Sequence, residues 1–240
     1  MRVVISQSMY FPWVGMLEQI RLADVFIHYD DVQFSKGSFS NRVQVKQPDG
    51  TTAWMTIPLA GLRLGQRIDE VTPAPVAAWR EKHLAQLARA FDGAPFADDA
   101  LGLARTVLSD DTSTLAAVAR ASMLALADYF GLAATTRFLD SAEMGIGGSG
   151  SRRVLDLVRA VGGDTYITGH GARNYLDHAM FEREGVAVEY IDYRKQPYPQ
   201  LHGAFTPYVT GLDLVANCGR DGARHIVSTT RDWKEFLDGT

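Results

Sequence analysis

The fold is decided by the opening stretch of the chain, which begins Arg2-Val-Val-Ile5 and continues as Ser6-Gln-Ser-Met-Tyr-Phe-Pro-Trp-Val-Gly15. The first of these runs is β-branched, and apolar residues at helical spacing follow the second. Val25-Phe-Ile-His-Tyr29 then has the composition of another strand. This succession predicts a β-α-β unit, which is the building block of parallel sheets.

The rest of the chain extends this unit into an α/β fold with a mainly parallel sheet flanked by helices. The strands are predicted at residues 2–5, 25–29, 135–139, 164–168 and 186–191. A β-hairpin is predicted at 43–57, where Pro48-Asp-Gly50 supplies the turn. Apolar residues recur every three or four positions at 76–91 and 113–130, with a shorter helix between them at 96–108. Asp110-Asp-Thr-Ser113 is expected to cap the helix that follows it. We predict one domain over residues 1–240 with a mostly helical insertion at about 76–130.

Composition narrows the class of protein. The net charge of −4 gives no overall basic face, so neither nucleic acid nor an anionic membrane is an expected partner. The single cysteine, Cys218, excludes an internal disulfide, and no apolar run of about 18 residues is present to span a bilayer. Because Met1 leads directly into a strand with no signal-peptide pattern, a cytoplasmic location is expected.

Polar residues follow both strands of the opening unit. Parallel strands present their carboxyl ends at one sheet edge, where ligands collect. We therefore predict that Asp30 is a catalytic residue and that it forms one wall of a binding cavity with a set of neighbours. Asp30 or Asp31 is a candidate for holding Mg²⁺, and the alternative is that Asp30 pairs with Arg42 as scaffolding. The predicted substrate-binding residues of this region are Gln7, Tyr10, Phe11, Gln33, Asn41 and Arg42.

A Gly/Ser loop, Gly145-Ile-Gly-Gly-Ser-Gly-Ser151, leads into a helix that opens with two arginines. Free backbone amides at a helix N-terminus suit an anion, and basic residues there are unfavourable unless something negative is bound. Ser149, Ser151, Arg152 and Arg153 are therefore predicted to bind a phosphate. The loop is not a Walker motif because it lacks the Gly-Lys-Ser/Thr ending. A mobile connector is the alternative.

The cluster Gly169-His-Gly-Ala-Arg-Asn-Tyr175 follows another predicted strand. His170 is the preferred general base because it lies in a glycine-bounded turn, and Asn174 is a substrate-binding candidate. Cys218 with His170 or His202 would make a nucleophile and base, although a buried structural cysteine is the commoner case. No spacing of histidine and cysteine predicts a zinc site.

A separate irregular loop before Pro75 carries Arg63, Gln66 and Arg67. It is able to supply cations to an acidic ligand. Solvated arginines are the alternative reading of this pattern.

Several motifs together resemble the WbqC-like family. They are Gln7-Ser-Met-Tyr-Phe11-Pro12-Trp-Val-Gly15, Tyr29-Asp30-Asp-Val-Gln33, Lys36, Asn41-Arg42, Arg152, Tyr166-Ile-Thr-Gly169, Tyr175-Leu, Tyr198-Pro-Gln200, Phe205 and Asp213. Ser8 stands where the family usually has proline, and residues 171–174 depart from its pattern. The resemblance adds Tyr166, Tyr198 and Gln200 to the expected substrate-binding residues.

The resemblance implies a biosynthetic role in surface-polysaccharide or specialised-metabolite assembly. The first hypothesis is transfer of an acyl or aminoacyl group from a phosphopantetheine-linked thioester, on CoA or an acyl carrier protein, to an amine. The alternatives are a nucleotide- or nucleotide-sugar-dependent enzyme and a non-catalytic subunit of a biosynthetic complex. The chain also resembles nucleotidyltransferase-type α/β domains, with Phe11-Pro-Trp-Val-Gly15 in place of their His-x-Gly-His signature.

Overall fold

The computed structural model describes residues 1–109 and 113–239. Its centre is a six-stranded sheet in the order β10-β9-β8-β1-β2-β7, in which all neighbours are parallel except β10 and β9. The strands of this sheet are β1 (Arg2–Ser6), β2 (Val25–His28), β7 (Arg137–Asp140), β8 (Thr165–Thr168), β9 (Ala187–Asp192) and β10 (Thr229–Asp232). The small strands are β3 (Arg42–Lys46), β4 (Thr52–Thr56), β5 (Leu59–Ala60) and β6 (Thr72–Pro73). The predicted mainly parallel α/β sheet is therefore confirmed.

Helices cover both faces of this sheet. They are α1 (Val14–Leu22), α2 (Arg80–Ala90), α3 (Ala97–Val107), α4 (Leu115–Tyr129), α5 (Gly150–Ala160), α6 (His178–Arg183), α7 (Gly211–Cys218) and α8 (Trp233–Asp238). Side chains alternate across each strand, so Val4 packs with α1, α4 and α7 whereas Val3 and Ile5 pack with α5, α6 and α8. Burial on both faces is why the central strands are continuous apolar runs.

The order of the five parallel strands creates a topological switch point. The chain moves from β1 through β2 to β7 on one side, and then returns to β8 and β9 on the other side of β1. The carboxyl ends of β1 and β8 therefore diverge into connections that leave in opposite directions. A crevice forms between such connections, and ligands of open α/β sheets bind there.

The hairpin and the helical region sit outside the sheet. β3 and β4 pair antiparallel from Arg42 opposite Thr56 to Lys46 opposite Thr52, as the Pro-Asp-Gly turn predicts.

α4 is amphipathic, and its buried side carries Leu115, Met123 and Leu126 into the core beside α1. The assignment of one domain with an insertion at about 76–130 stays a prediction.

Several local differences separate the structure from the sequence expectation. Residues 76–78 form a 3₁₀ turn, and α2 begins only at Arg80. The polar run Thr229–Asp232 forms the antiparallel edge strand β10, which the sequence did not predict because edge strands do not need two apolar faces. Thr114 caps α4 by accepting a hydrogen bond from the backbone of Ala117. The predicted cap residues Asp110, Asp111 and Thr112 lie outside the described residues.

Within residues 1–109 and 113–239, no helix combines the length and apolar character needed to cross a bilayer.

Candidate functional site

A long cleft lies at the carboxyl ends of β1, β2 and β8, and we call it the switch-point cleft. It consists of a cavity of about 580 Å³ and a neighbouring cavity of about 490 Å³, which share Gln7, Tyr29 and Tyr175 in their walls. Gln7 follows β1 and Tyr29 follows β2, so the strand ends themselves deliver the central residues. The position coincides with the switch point of the sheet.

The larger half of the cleft is lined mainly by aromatic and hydroxyl groups. Burial raises the pKa of Tyr166 well above its usual value, so its phenol remains protonated. Its hydroxyl lies 3.3 Å from the Thr168 hydroxyl. Gln19 donates a hydrogen bond of 2.8 Å to the Tyr193 hydroxyl. These neutral donors and acceptors suit the polar groups of an uncharged ligand segment.

A rigid turn sets the position of Trp13 in this half. Phe11 adopts a φ of 37°, which is unusual for a side chain of its size. The Ser122 hydroxyl accepts a hydrogen bond from the backbone amide of Phe11, and the Thr210 hydroxyl donates to its carbonyl. The Trp13 ring then packs directly over Gly15, where any Cβ would clash with it. The glycine of the motif is therefore required for this ring position.

The smaller half of the cleft lies at the N-terminus of α5. Gly148 and Gly150 line it with φ values of 95° and 59°, a conformation that favours glycine. Ser149 lies between them and is exposed, with its hydroxyl free of any capping bond to α5. The first amides of a helix lack intrahelical partners, so this end of the cleft presents donors and a positive dipole end to a ligand.

Arg153 and Asp31 form the floor of the smaller half. Their side chains are ion-paired and are only 7% and 10% exposed. Asp31 also accepts a hydrogen bond of 2.6 Å from Ser141, and the Arg153 guanidinium lies 4.9 Å from the centre of the Tyr29 ring. Hydrogen bonds from Arg153 and Ser141 outweigh burial and lower the pKa of Asp31. Arg153 therefore already has a carboxylate partner and leaves the helix amides as the main anion-binding groups.

His170 stands in the wall of the larger half, at the end of β8. Its Nε2 atom lies 2.7 Å from the carbonyl oxygen of Ile191. Since a carbonyl only accepts, Nε2 carries the proton and the neutral ring keeps a lone pair on Nδ1. Nδ1 forms no hydrogen bond with any residue that the structure describes. His170 thus lines the cleft with its tautomer fixed by the contact with Ile191.

Asp30 lies below the cleft in a buried polar network. It accepts hydrogen bonds from the backbone amide and hydroxyl of Ser8, at 2.8 and 2.7 Å, and from Arg120 at 3.0 Å. The Ser8 hydroxyl in turn lies 2.9 Å from Nδ1 of His28. Burial raises the pKa of Asp30 more than these bonds lower it. Arg120, rather than the expected Arg42, is therefore the cation paired with Asp30.

The structure brings six of the predicted site residues into the cleft, namely Gln7, Gln33, Ser149, Arg153, Tyr166 and His170. It places the others elsewhere. Tyr10, Phe11, Asp30 and Asn41 are buried in the core, and the Tyr10 hydroxyl lies 3.0 Å from Nδ1 of His83.

The remaining predicted residues make structural contacts outside the cleft. Arg42 stacks on Trp54 at 4.0 Å. Ser151 accepts a hydrogen bond from the backbone of Asp177, and Arg152 is exposed and pairs with Asp156 within α5. Asn174 is exposed outside both cavities.

Tyr198 and Gln200 belong to a second buried network. Tyr198 donates a hydrogen bond of 2.7 Å to Asp213, and Gln200 donates one of 2.8 Å to the same oxygen. Gln200 also accepts a hydrogen bond of 2.9 Å from Lys46, whose side chain lies in the core. This network fastens the loop after β9 to α7 and β3, so its contacts account for both side chains without a ligand.

Cys218 is buried at the end of α7, where burial raises the pKa of its thiol. Among the described residues, no hydrogen bond joins Cys218 to His170 or His202, whose Nε2 atoms lie beside the carbonyl oxygens of Ile191 and Ala90. A thiol with a raised pKa forms little thiolate near neutral pH. The geometry therefore favours a structural role for this cysteine.

Several cleft residues were not singled out from the sequence as site residues, namely Gln19, Tyr29, Phe39, Thr168, Tyr175 and Tyr193. The sequence could have indicated Gln19, because a glutamine within a buried helix is unusual unless it has a specific hydrogen-bond partner. Tyr29 and Tyr175 stood within the family motifs. Tyr193 directly follows β9, but its contact with Gln19 spans 174 residues of chain and cannot be predicted locally.

Among the described residues, no group of three or more histidine, cysteine, aspartate or glutamate side chains is arranged to hold a metal ion. Asp30 is enclosed by Ser8 and Arg120, and Asp31 is enclosed by Ser141 and Arg153. Their contacts do not favour the Mg²⁺ site considered from the sequence.

The fold is that of a doubly wound α/β protein with a cleft at the switch point of its sheet. The chain belongs to the WbqC-like protein family, whose model matches residues 7–225. It is also 31% identical over 228 residues to the "Uncharacterized protein Rv1507c" of Mycobacterium tuberculosis, an alignment that covers 94% of this chain and 97% of the relative. No solved structure matches the chain. The resemblance to nucleotidyltransferase-type domains stays a prediction.

Proposed function

We propose that the protein is a biosynthetic transferase that moves an acyl or aminoacyl group from a phosphopantetheine-linked thioester to an amine. The products would belong to polysaccharide or specialised-metabolite assembly, as family membership suggests. The observation that carries the proposal is the presence in one cleft of an oriented, unpartnered base, His170 Nδ1, and a helix N-terminus suited to a phosphate.

The two halves of the cleft would bind different parts of the donor. The donor phosphate would lie at the α5 amides beside Ser149, and its neutral chain would run past Gln7 and the tyrosines. The aromatic walls would exclude water from the thioester, which slows its hydrolysis. A long ligand with one anionic end and an uncharged body matches this distribution of groups.

The chemistry requires a base but no covalent intermediate. The amine nitrogen attacks the thioester carbonyl carbon, so a C–N bond forms and the C–S bond breaks. His170 Nδ1 accepts the proton that the nitrogen loses, and that proton then passes to the departing thiolate. The hydrogen bond from Nε2 to Ile191 keeps the proton of the neutral ring on Nε2, so Nδ1 remains the accepting nitrogen.

The proposal is tested by measuring turnover of defined thioester donors. The purified protein is incubated with acyl- and aminoacyl-CoA thioesters, or the same groups on carrier proteins, together with candidate amines such as amino sugars. Mass spectrometry should detect an amide and release of free thiol. An absence of amide across a broad panel of donors and acceptors would contradict the proposal.

A nucleotide- or nucleotide-sugar-dependent enzyme is the second candidate. The observation that favours it is the strand order, since doubly wound sheets commonly hold nucleotides at the switch point. Thermal shift separates the candidates, because a ligand at 100 times its dissociation constant stabilises the folded state by about 2.7 kcal/mol. Stabilisation by ATP or UDP-sugars without stabilisation by CoA would favour the second candidate.

A further inference from the structure

One edge of the switch-point cleft opens into a depression of about 380 Å³, with Gln33 in the wall of both. Two loops build the depression, one at residues 33–36 and one at residues 62–65. We call their exposed side chains Lys36, Leu62, Arg63 and Leu64 the basic rim.

The backbone holds these two loops together. The amide of Phe34 donates to the carbonyl of Gln66 at 2.9 Å, and the amide of Ile68 donates to the carbonyl of Val32 at 3.0 Å. Gln33 and Arg67 form an antiparallel bridge between the same two segments. The rim is therefore a fixed surface at the cleft entrance.

The two loops of the basic rim carry positive charge only. Residues 33–36 and 62–65 contain Lys36 and Arg63 and no acidic residue, whereas the chain as a whole has a net charge of −4. Arg67 is paired with Asp69 and Glu70. Lys36 and Arg63 form no ion pair with any residue that the structure describes, so both charges face solvent.

Apolar side chains accompany these charges. Leu64 is 99% exposed and Leu62 is 41% exposed, on either side of Arg63. Single exposed leucines are common on protein surfaces, but two at one loop tip beside unpaired cations at a cleft entrance form the pattern of a docking site. A partner must supply both acidic groups and apolar contact area to match it.

We propose that the basic rim is the docking site for an acidic carrier protein that delivers its phosphopantetheine-linked thioester into the switch-point cleft past Gln33. This inference rests on the proposed function, because it identifies the form in which the donor arrives. Charge complementarity selects the carrier: the rim pairs with acidic side chains, and the leucines cover apolar surface beside the attachment point of the arm. A free CoA thioester would use the same cleft without contacting the rim.

The experiment compares charge reversal at the rim with the same reversal elsewhere. The test variant is Lys36→Glu with Arg63→Glu, and the control is Lys82→Glu with Arg89→Glu on α2, where both side chains are exposed. A second test variant, Leu62→Ser with Leu64→Ser, leaves the charge unchanged. Melting temperature is measured for all variants to confirm that each is folded.

Two measurements are made on the full-length variants. Fluorescence anisotropy gives the Kd for a panel of acidic holo-carrier proteins. The rate of acyl-CoA turnover shows whether the cleft itself is still functional. We expect charge reversal at the rim to weaken carrier binding by about tenfold or more and to remove its salt dependence, because close unlike charges are lost. The leucine variant should also weaken binding. The α2 control should leave carrier binding unchanged, and acyl-CoA turnover should be unchanged in every variant.

The outcomes distinguish failure of the proposed docking site from failure of the proposed transfer reaction. Carrier binding that is unaffected by both rim variants, or acyl-CoA turnover with no carrier binding at all, overturns the docking site and leaves the transferase proposal standing. Carrier binding that depends on the rim, without turnover of any thioester, supports the docking site and counts against the reaction. Rim-dependent binding to vesicles containing phosphatidylserine, with none to carriers, assigns the rim to a membrane surface and overturns the proposal.

Discussion

Nε2 of His170 lies 2.7 Å from the carbonyl oxygen of Ile191, the residue that precedes the last residue of the neighbouring strand β9. This contact determines the tautomer of the imidazole, because the carbonyl accepts the only ring proton of the neutral form. Nδ1 is left as the basic atom. The sheet itself therefore orients the catalytic candidate, since the histidine lies in the turn directly after β8 and β9 carries the acceptor.

Replacing this base should abolish most of the activity while preserving the fold. His170→Gln is expected to lower kcat by about 10²- to 10⁴-fold, the usual contribution of a general base. The melting temperature should change little because the side chain is exposed. His202→Gln is the matched control, since its Nε2 also lies near a backbone carbonyl, that of Ala90, but outside the cleft. Equal kcat values for the two variants would exclude His170 as the base.

Gly15 should be intolerant of the smallest substitution. Gly15→Ala places a methyl group inside the Trp13 ring, so the indole must leave its position in the cleft wall. We expect weaker ligand binding, measured by titration calorimetry, together with a loss of stability. Gly102→Ala is the control, because its Cβ enters open space within α3 and should stabilise the protein by about 0.5–1 kcal/mol. Unchanged binding in Gly15→Ala would show that Trp13 does not shape the site.

The two arginines that open α5 should behave differently. Arg153→Ala leaves Asp31 without its partner in a nearly buried position and is expected to cost about 3 kcal/mol of unfolding free energy. The pKa of Asp31 should rise as a result. Arg152→Ala removes an exposed pair with Asp156 and should change stability by less than about 0.5 kcal/mol. Urea unfolding measures both, and similar losses would contradict the assignment of Arg153 to the cleft floor.

Acid should destabilise the protein through two buried histidines. Burial lowers the pKa of His28 to about 3 and that of His83 to about 4, whereas unfolding restores ordinary values near 6.5. The unfolded chain therefore binds more protons between these limits, so stability is highest above about pH 6.5 and falls as pH decreases. The slope should approach about 1.4 kcal/mol per pH unit for each histidine. Urea unfolding across this range would contradict the account if the free energy were constant.

The parallel strands could be predicted because burial on both faces leaves a clear sequence signal. Val3, Val4 and Ile5 form a continuous apolar run, and no surface position interrupts it. β10 gave no such signal, since Thr229 to Asp232 lies at an edge and is largely polar. Its strand conformation depends on pairing with β9, which is a tertiary contact.

The site could be predicted in position but only partly in composition. The rule that strand ends converge led to Gln7 and Gln33 as site residues, and both side chains line the smaller half of the cleft. It did not determine which member of the Asp30-Asp31 pair faces the ligand. Asp30 points into the core because Arg120, 90 residues away on α4, binds it there. No local pattern reveals that partner, and the same limit applies to the contact between Gln19 and Tyr193.

The most direct test of the central claim is a crystal structure with a non-hydrolysable acyl-CoA thioether at saturating concentration. The account predicts electron density through the switch-point cleft, with a phosphate at the N-terminus of α5 and the thioether beside Nδ1 of His170. Density in the separate cavity of about 420 Å³ beside Trp79, with the cleft empty, would contradict it.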